Sequence, residues 1–152
     1  MSDTAIQSYH GSYLMPSLEQ ATVADAMHPG ILSCRADATL TDVARMMATH
    51  HVHCVAVMGL ARDHSGESSV WGIISDFDLM RAGIRVGGEE IAGGLAQQPV
   101  ISVRPTMALR EAGELMLKHG VSHVVVIGSE AQRPVGILST SDVAGVLAWG
   151  EG

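Results

Sequence analysis

The residues best placed to do chemistry in this 152-residue chain come in two matching sets. Ser75-Asp76-Phe77-Asp78 and Ser139-Thr140-Ser141-Asp142 each put a serine three residues before a carboxylate, directly after an apolar run that opens on glycine. At a strand-to-helix turn this spacing makes a capping box: the serine hydroxyl accepts from the backbone N–H three residues on, and the carboxylate reaches back to the cap. The same groups also set a hydroxyl, a paired acceptor and helix N–H donors side by side, a combination that can hold a small polar ligand. Arg81, one helical turn beyond Asp78, can bend toward an anion at the helix start. The matching position after Asp142 is Gly145, so the two sets are unequal in charge and one is expected to dominate anion binding.

Other candidates weigh less. Arg35 and Arg104 flank the exits of two short strands, and either can also be an ordinary solvated charge. His50, His51, His53 and Cys54 crowd one segment, with His119 and His123 in the matching place later, and such side chains can ligate zinc. Against a metal, neighbouring side chains on a strand point to opposite faces, and His50 and His119 fall where helix C-termini favour a cation anyway. Met46 and Met47 lie in an apolar stripe and read as core. Residues 86–94, VGGEEIAGG, lack the pattern of a phosphate loop and read as a linker. No HExxH, G-x-S-x-G or Ser/His/Asp order occurs, so no enzyme is expected.

Composition narrows the partners. A hydrophobic fraction of 47% and a mean hydropathy of +0.24 support a buried core. A formal charge of -7, a pI near 5.5 and 3% aromatic residues offer neither the basic face nor the stacking platforms of a nucleic-acid binder. The N-terminus lacks a basic cluster followed by an apolar core, and no apolar run approaches the roughly 20 residues of a membrane span. Neither membrane nor secretion is expected, and a cytoplasmic chain keeps Cys34 and Cys54 as thiols.

The chain contains itself twice. Residues 31–58 match residues 100–127 at a constant offset of 69, which sets Ser33 on Ser102, Leu40 on Leu109, Met47 on Met116 and His50 on His119. The next block, GIISDFD from Gly72, matches GILSTSD from Gly136 at an offset of 64. The first copy therefore carries five more residues, in the polar stretch ARDHSGESS, where a longer hairpin loop costs little.

Each copy predicts the same elements in the same order. A short strand (31–33; 100–103) leads to a helix with apolar residues at i, i+3, i+4 and i+7, where Asp37 and Thr106 stand as expected N-caps. Two β-branched runs then predict a hairpin (52–58 with 70–74; 121–127 with 135–138), and a second helix starts at each Ser-x-x-Asp. Further short helical stretches, 22–27 and 89–96, precede the copies.

This β-α-β-β-α unit in tandem, with GIISDFDLMRAG at 72–83, GILSTSDVAG at 136–145 and VSHVVVIG at 121–128, resembles the CBS domain pair, or Bateman module, over about residues 16–149. The resemblance implies an α/β fold (α+β in some schemes) of a stand-alone tandem. Its parts would be a flexible lead-in at 1–15, repeats at 16–84 and 85–149 packed pseudo-symmetrically, and a tail at 150–152. It also implies a non-catalytic regulatory module that binds AMP, ADP, ATP or S-adenosylmethionine in clefts between the repeats, with no required cofactor, and that forms a homodimer. Asp78 and Asp142 would accept from ribose hydroxyls, while Ser75, Ser139 and Arg81 would face phosphate. Ser33, Ser102, Arg104, His53, Cys54, Ser122 and His123 would border the clefts, and an unidentified protein would be regulated in trans. Two other readings stand beside this one: a ligand-free interaction or dimerisation module, and a His/Cys metal or redox sensor.

Overall fold

The computed structural model describes residues 14–62, 68–85, 90–96, 100–129 and 133–151. Among these the element order is α1 (Val23–Ala26), β1 (His28–Pro29), β2 (Ser33–Arg35), α2 (Leu40–His50), β3 (Cys54–Arg62), β4 (Ser68–Ser75), α3 (Asp76–Arg85), α4 (Ala92–Leu95), β5 (Ser102–Val103), α5 (Leu109–His119), β6 (His123–Ile127), β7 (Pro134–Ser139) and α6 (Thr140–Trp149). The mixed α/β architecture and the duplicated order are those the sequence predicts. Residues 63–67 of the stretch ARDHSGESS, where the insertion falls, lie outside the described residues. No described helix is long and apolar enough to cross a membrane.

The chain forms two compact units. Among the described residues the first comprises 14–29, 102–129 and 136–151, and the second 30–62, 68–85, 90–96, 100–101 and 133–135. These units are composed differently from the contiguous repeats at 16–84 and 85–149. Each lead-in helix sits with the other copy: the Val23 and Ala24 N–H groups of α1 donate to Met107 and Pro105 carbonyls at 2.9 Å, and in α4 the Ala92 and Gly93 N–H groups donate to Ala38 and Ala36 at 2.8 and 2.7 Å. A four-residue helix cannot satisfy its own leading N–H groups, so loop carbonyls do it. Gly93 is needed for that approach, since a Cβ there would lie 3.0 Å from the Ala36 carbonyl oxygen. The expected linker at 86–94 thus ends in a docked helix; its first residues, 86–89, lie outside the described ones.

In the second unit β2 runs parallel to β3, and β3 pairs antiparallel with β4. Val43, Met47, Val55, Val57, Ile74 and Ala92 form its core. In the first unit the sheet order is β1-β7-β6-β5, with β5 parallel to β6 and β1 antiparallel to β7. Val124, Val125 and Val126 are all fully buried, as are Val55, Ala56 and Val57 in the other sheet. Three consecutive buried residues mean that both faces of these strands are shielded, which explains their unbroken apolar sequence.

The long helices start differently from expectation. Asp37 is not a cap; it is exposed and pairs with Arg35 at 3.3 Å. The N-cap of α2 is Thr39, which exchanges bonds with Asp42, and the N-cap of α5 is Ala108, which offers no side-chain bond, leaving Thr106 in the preceding turn. Thr39 wins because only it has a carboxylate three residues on to complete the reciprocal box.

Candidate functional site

In the second unit the antiparallel pairing of Cys54 with Ser75 brings the start of β3 to the end of β4. The Asp76 N–H donates to the His53 carbonyl at 3.0 Å, which ties this segment to the start of α3. His53 Nδ1 also lies 2.9 Å from Asp76 Oδ2, both side chains being exposed. Behind them the Ser75 N–H and hydroxyl both donate to Asp78 Oδ2 at 2.9 Å, and the Asp78 N–H donates to Ser75 Oγ at 3.2 Å. The capping box is therefore fully formed. Asp78 Oδ1 receives the Arg81 guanidinium at 3.2 Å, and Arg81 in turn lies 5.4 Å from the Phe77 ring centroid. The carboxylate is 3% exposed and the guanidinium side chain 49% exposed, so the charge pair runs from the interior to solvent.

The first unit repeats this arrangement with a different side chain on the carboxylate. The Thr140 N–H donates to the Ser122 carbonyl at 3.0 Å, the Ser139 N–H to Asp142 Oδ2 at 2.8 Å, and the Asp142 N–H to Ser139 Oγ at 3.2 Å. Ser139 Oγ additionally contacts Ser141 Oγ at 2.9 Å. Asp142 Oδ1 meets His28 Nδ1 at 2.8 Å, with the carboxylate 5% and the imidazole 79% exposed. His28 thus fills the role that Gly145 leaves open. Aligning the copies does not reveal it, because His28 lies in the lead-in of the first copy and reaches Asp142 only through the pairing of β1 with β7, His28 opposite Ile137.

The structure accordingly gathers His53, Cys54, Ser75, Asp78 and Arg81 at one turn, and Ser122, His123, Ser139 and Asp142 at the other. Ser33 and Ser102 are exposed on the neighbouring parallel strands, opposite Ala56 and Val125. Arg104 is exposed in the turn that follows β5. His123 Nδ1 contacts Ser122 Oγ at 2.9 Å. Cys54 is buried, and desolvation, reinforced by the Asp78 and Asp76 carboxylates, pushes its thiol up to about 12. Burial, with a smaller contribution from Asp42, also raises the Cys34 thiol. Among the described residues no three His, Cys, Asp or Glu side chains gather as a metal site would require.

Comparison with known proteins agrees with this architecture. The CBS domain family model matches residues 23–85 and 92–148. No curated protein matches the chain. Among solved structures, the CBS domain pair of protein MJ0100 in complex with 5′-methylthioadenosine and S-adenosyl-L-methionine superposes with a TM-score of 0.70 at 18% identity, over 84% of this chain and 96% of that one. The CBS domain of a bacterial CNNM/CorC family Mg2+ transporter in complex with ATP gives 0.68 at 19% identity, over 88% and 92%. Hypoxic Response Protein I, with two coordinated zinc ions, gives 0.64 at 26% identity, over 82% and 98%. With both copies of its repeat matched, the chain belongs to the CBS domain family as a tandem pair.

Proposed function

We propose that this chain is a non-catalytic regulatory module that binds an adenine nucleotide or S-adenosylmethionine at its two Ser-x-x-Asp turns. The observation that carries the reading is the state of the two carboxylates. In each, Oδ2 is committed to the cap, while Oδ1 meets the nitrogen of a side chain that is 49% exposed in Arg81 and 79% exposed in His28. A carboxylate has about four acceptor positions. Oδ1 lies outside the cap and can take ribose hydroxyls by releasing its side-chain partner. Of the leading helix N–H groups, those of Asp76 and Asp78 and of Thr140 and Asp142 already have protein acceptors. That leaves the Phe77 and Ser141 N–H groups for a phosphate. The solved CBS pairs with methylthioadenosine, S-adenosylmethionine, ATP and AMP support this ligand class.

Titration calorimetry with AMP, ATP and S-adenosylmethionine tests the reading. Asp78→Asn and Asp142→Asn keep a capping side chain but remove the charge, and each is expected to weaken binding at its own turn about tenfold or more, as loss of a charge-assisted hydrogen bond implies. Folded wild-type protein that binds none of the three compounds rejects it.

A second reading, an assembly module, is favoured by the exposed apolar side chains Phe77, Met80 and Ile84 on α3, and Leu147 and Trp149 on α6. Such residues suit a homodimer contact. Sedimentation that shows a dimer, together with a thermal midpoint indifferent to adenosyl compounds, would select this reading, because only a ligand that binds the native state raises stability. Output then passes to a protein regulated in trans, in the cytoplasm. A metal or redox sensor is disfavoured by the buried, protonated Cys54 thiol.

A further inference from the structure

We infer that Arg81 makes the Asp78 turn selective for a 5′-phosphorylated adenine nucleoside over an uncharged one, because its guanidinium occupies the ribose position and a phosphate gives it another partner; the inference rests on the adenosyl reading above. Asp78 Oδ1 is the oxygen outside the cap, and the Arg81 guanidinium donates to it at 3.2 Å. Ribose hydroxyls and guanidinium therefore compete for one atom. The carboxylate is 3% exposed, so water does not replace a charge-assisted bond taken from it. Neutral hydroxyls restore only part of that bond. An uncharged nucleoside thus exchanges a strong contact for weaker ones and binds poorly.

The displaced guanidinium has a second position within reach. Side chains of a helix lean toward its N-terminus, so Arg81 lies over the first turn of α3. Its guanidinium stands 5.4 Å from the ring centroid of Phe77, a residue 60% exposed that also carries the backbone N–H left for a phosphate. The ring face holds the cation beside that N–H while its contact with Asp78 is exchanged. Arg81 is itself 49% exposed, which gives its long side chain room to turn. The charges at the helix start make the guanidinium decisive. Asp76 and Asp78 both stand in the first turn of α3, and the Asp76 carboxylate, 2.9 Å from His53 Nδ1, is exposed. Without Arg81 an incoming phosphate meets two carboxylates. With it, the phosphate meets a permanent positive charge whose planar fork matches phosphate geometry. A phosphorylated ligand thus completes both exchanges, ribose hydroxyls to Asp78 and phosphate to Arg81.

The test compares AMP with adenosine, which differ only in the phosphate, by titration calorimetry in an Asp142→Asn background that weakens the other turn. Arg81 is kept, replaced by Gln, which still offers Asp78 a neutral donor, or replaced by Lys, which keeps the charge. With Arg81 intact, AMP is expected to bind at least about tenfold more tightly than adenosine, the scale of one charge-assisted bond. Arg81→Gln should shrink that preference about tenfold, by weakening AMP while adenosine binds as well as before or better, and Arg81→Lys should retain most of it. A merely structural role of Arg81 would weaken both ligands alike and leave the preference where it was. That result, or an intact protein that binds the two equally or prefers adenosine, overturns the inference and leaves the adenosyl reading standing. So does loss of all AMP binding in the Asp142→Asn background, which confines the ligand to the other turn. Wild-type protein that binds none of AMP, ATP and S-adenosylmethionine overturns the adenosyl reading itself, and this inference with it.

Discussion

The two Ser-x-x-Asp turns perform one piece of backbone chemistry with different side chains around it. Both bury a carboxylate to cap a helix, and both set a side-chain nitrogen against its second oxygen. In one turn that nitrogen comes from the same helix, Arg81 at i+3; in the other it comes from His28 on a paired strand, more than a hundred residues away in sequence. The capping geometry is thus the part the two turns share, and the partner of the second oxygen is the part that varies. The strand position beside the turn varies as well, with Cys54 in one copy and His123 in the other.

That last difference predicts the largest effect. Because the folded state holds the Cys54 proton up to about 12 against an ordinary value of 9.0, its thiolate at pH 8 is on the order of a thousandfold scarcer than that of an unburied thiol. Iodoacetamide at that pH should leave Cys54 unmodified in folded protein and label it readily in urea. The sign of the linkage follows. A group whose pKa is raised by folding contributes stability that is complete below the unfolded value and is lost as the pH climbs from about 9 toward 12. Cys54→Ala should shrink that alkaline loss, as followed by urea unfolding at pH 8, 9 and 10. Rapid labelling of the native protein would break the contrast with the more polar His123 position.

Next in size are the carboxylates themselves. Asp78→Ala strips the Ser75 N–H and hydroxyl of their shared acceptor and releases Arg81, whereas after Asp142→Ala the Ser139 hydroxyl keeps Ser141 as a partner. Loss of a cap plus a buried orphaned donor implies about 3 kcal/mol for Asp78→Ala and about 2 kcal/mol for Asp142→Ala. Urea unfolding that ranks them in the opposite order would overturn this account of the two turns.

Much of this was legible in the sequence, and the missing parts have physical reasons. The duplicated order of elements, the hairpins and the helix starts at Ser75 and Ser139 follow from local periodicity and turn chemistry, which lie within a few residues of one another. The docking of α1 beside Pro105 and Met107, and of α4 beside Ala36 and Ala38, does not follow. It consists of backbone hydrogen bonds between distant segments, which any side chain can make. The His28 pairing was hidden for the same reason. Asp37 and Thr106 were plausible caps by residue type; Thr39 displaced Asp37 because a second partner, Asp42, made its cap reciprocal.

That reciprocal cap separates α2 from α5 and can be tested from both ends. Thr39→Ala should cost about 1 kcal/mol, and Ala108→Ser, which would stand three residues before Glu111 and could complete a box, should gain about the same. Equal effects of opposite sign in thermal or urea unfolding would show that the two helices differ at this point only by the missing hydroxyl. A neutral Ala108→Ser would mean that the bridge between Thr22 and Ala108 already holds the chain in place.

The smallest effect is expected at the opposite ends of the same helices. Both terminate in a left-handed residue, Gly120 with φ 63° after α5 and His51 with φ 55° after α2. A side chain in that conformation crowds the following carbonyl, at a cost of roughly 1 kcal/mol that glycine does not incur. Part of this is returned through the unfolded state, where glycine has more freedom to lose. His51→Gly should therefore stabilise the protein by less than about 1 kcal/mol, and Gly120→His should destabilise it by a similar amount, both read from urea midpoints at constant slope. If His51→Gly destabilises instead, the imidazole contributes at the helix C-terminus more than its backbone strain costs, as a cation on the helix dipole can.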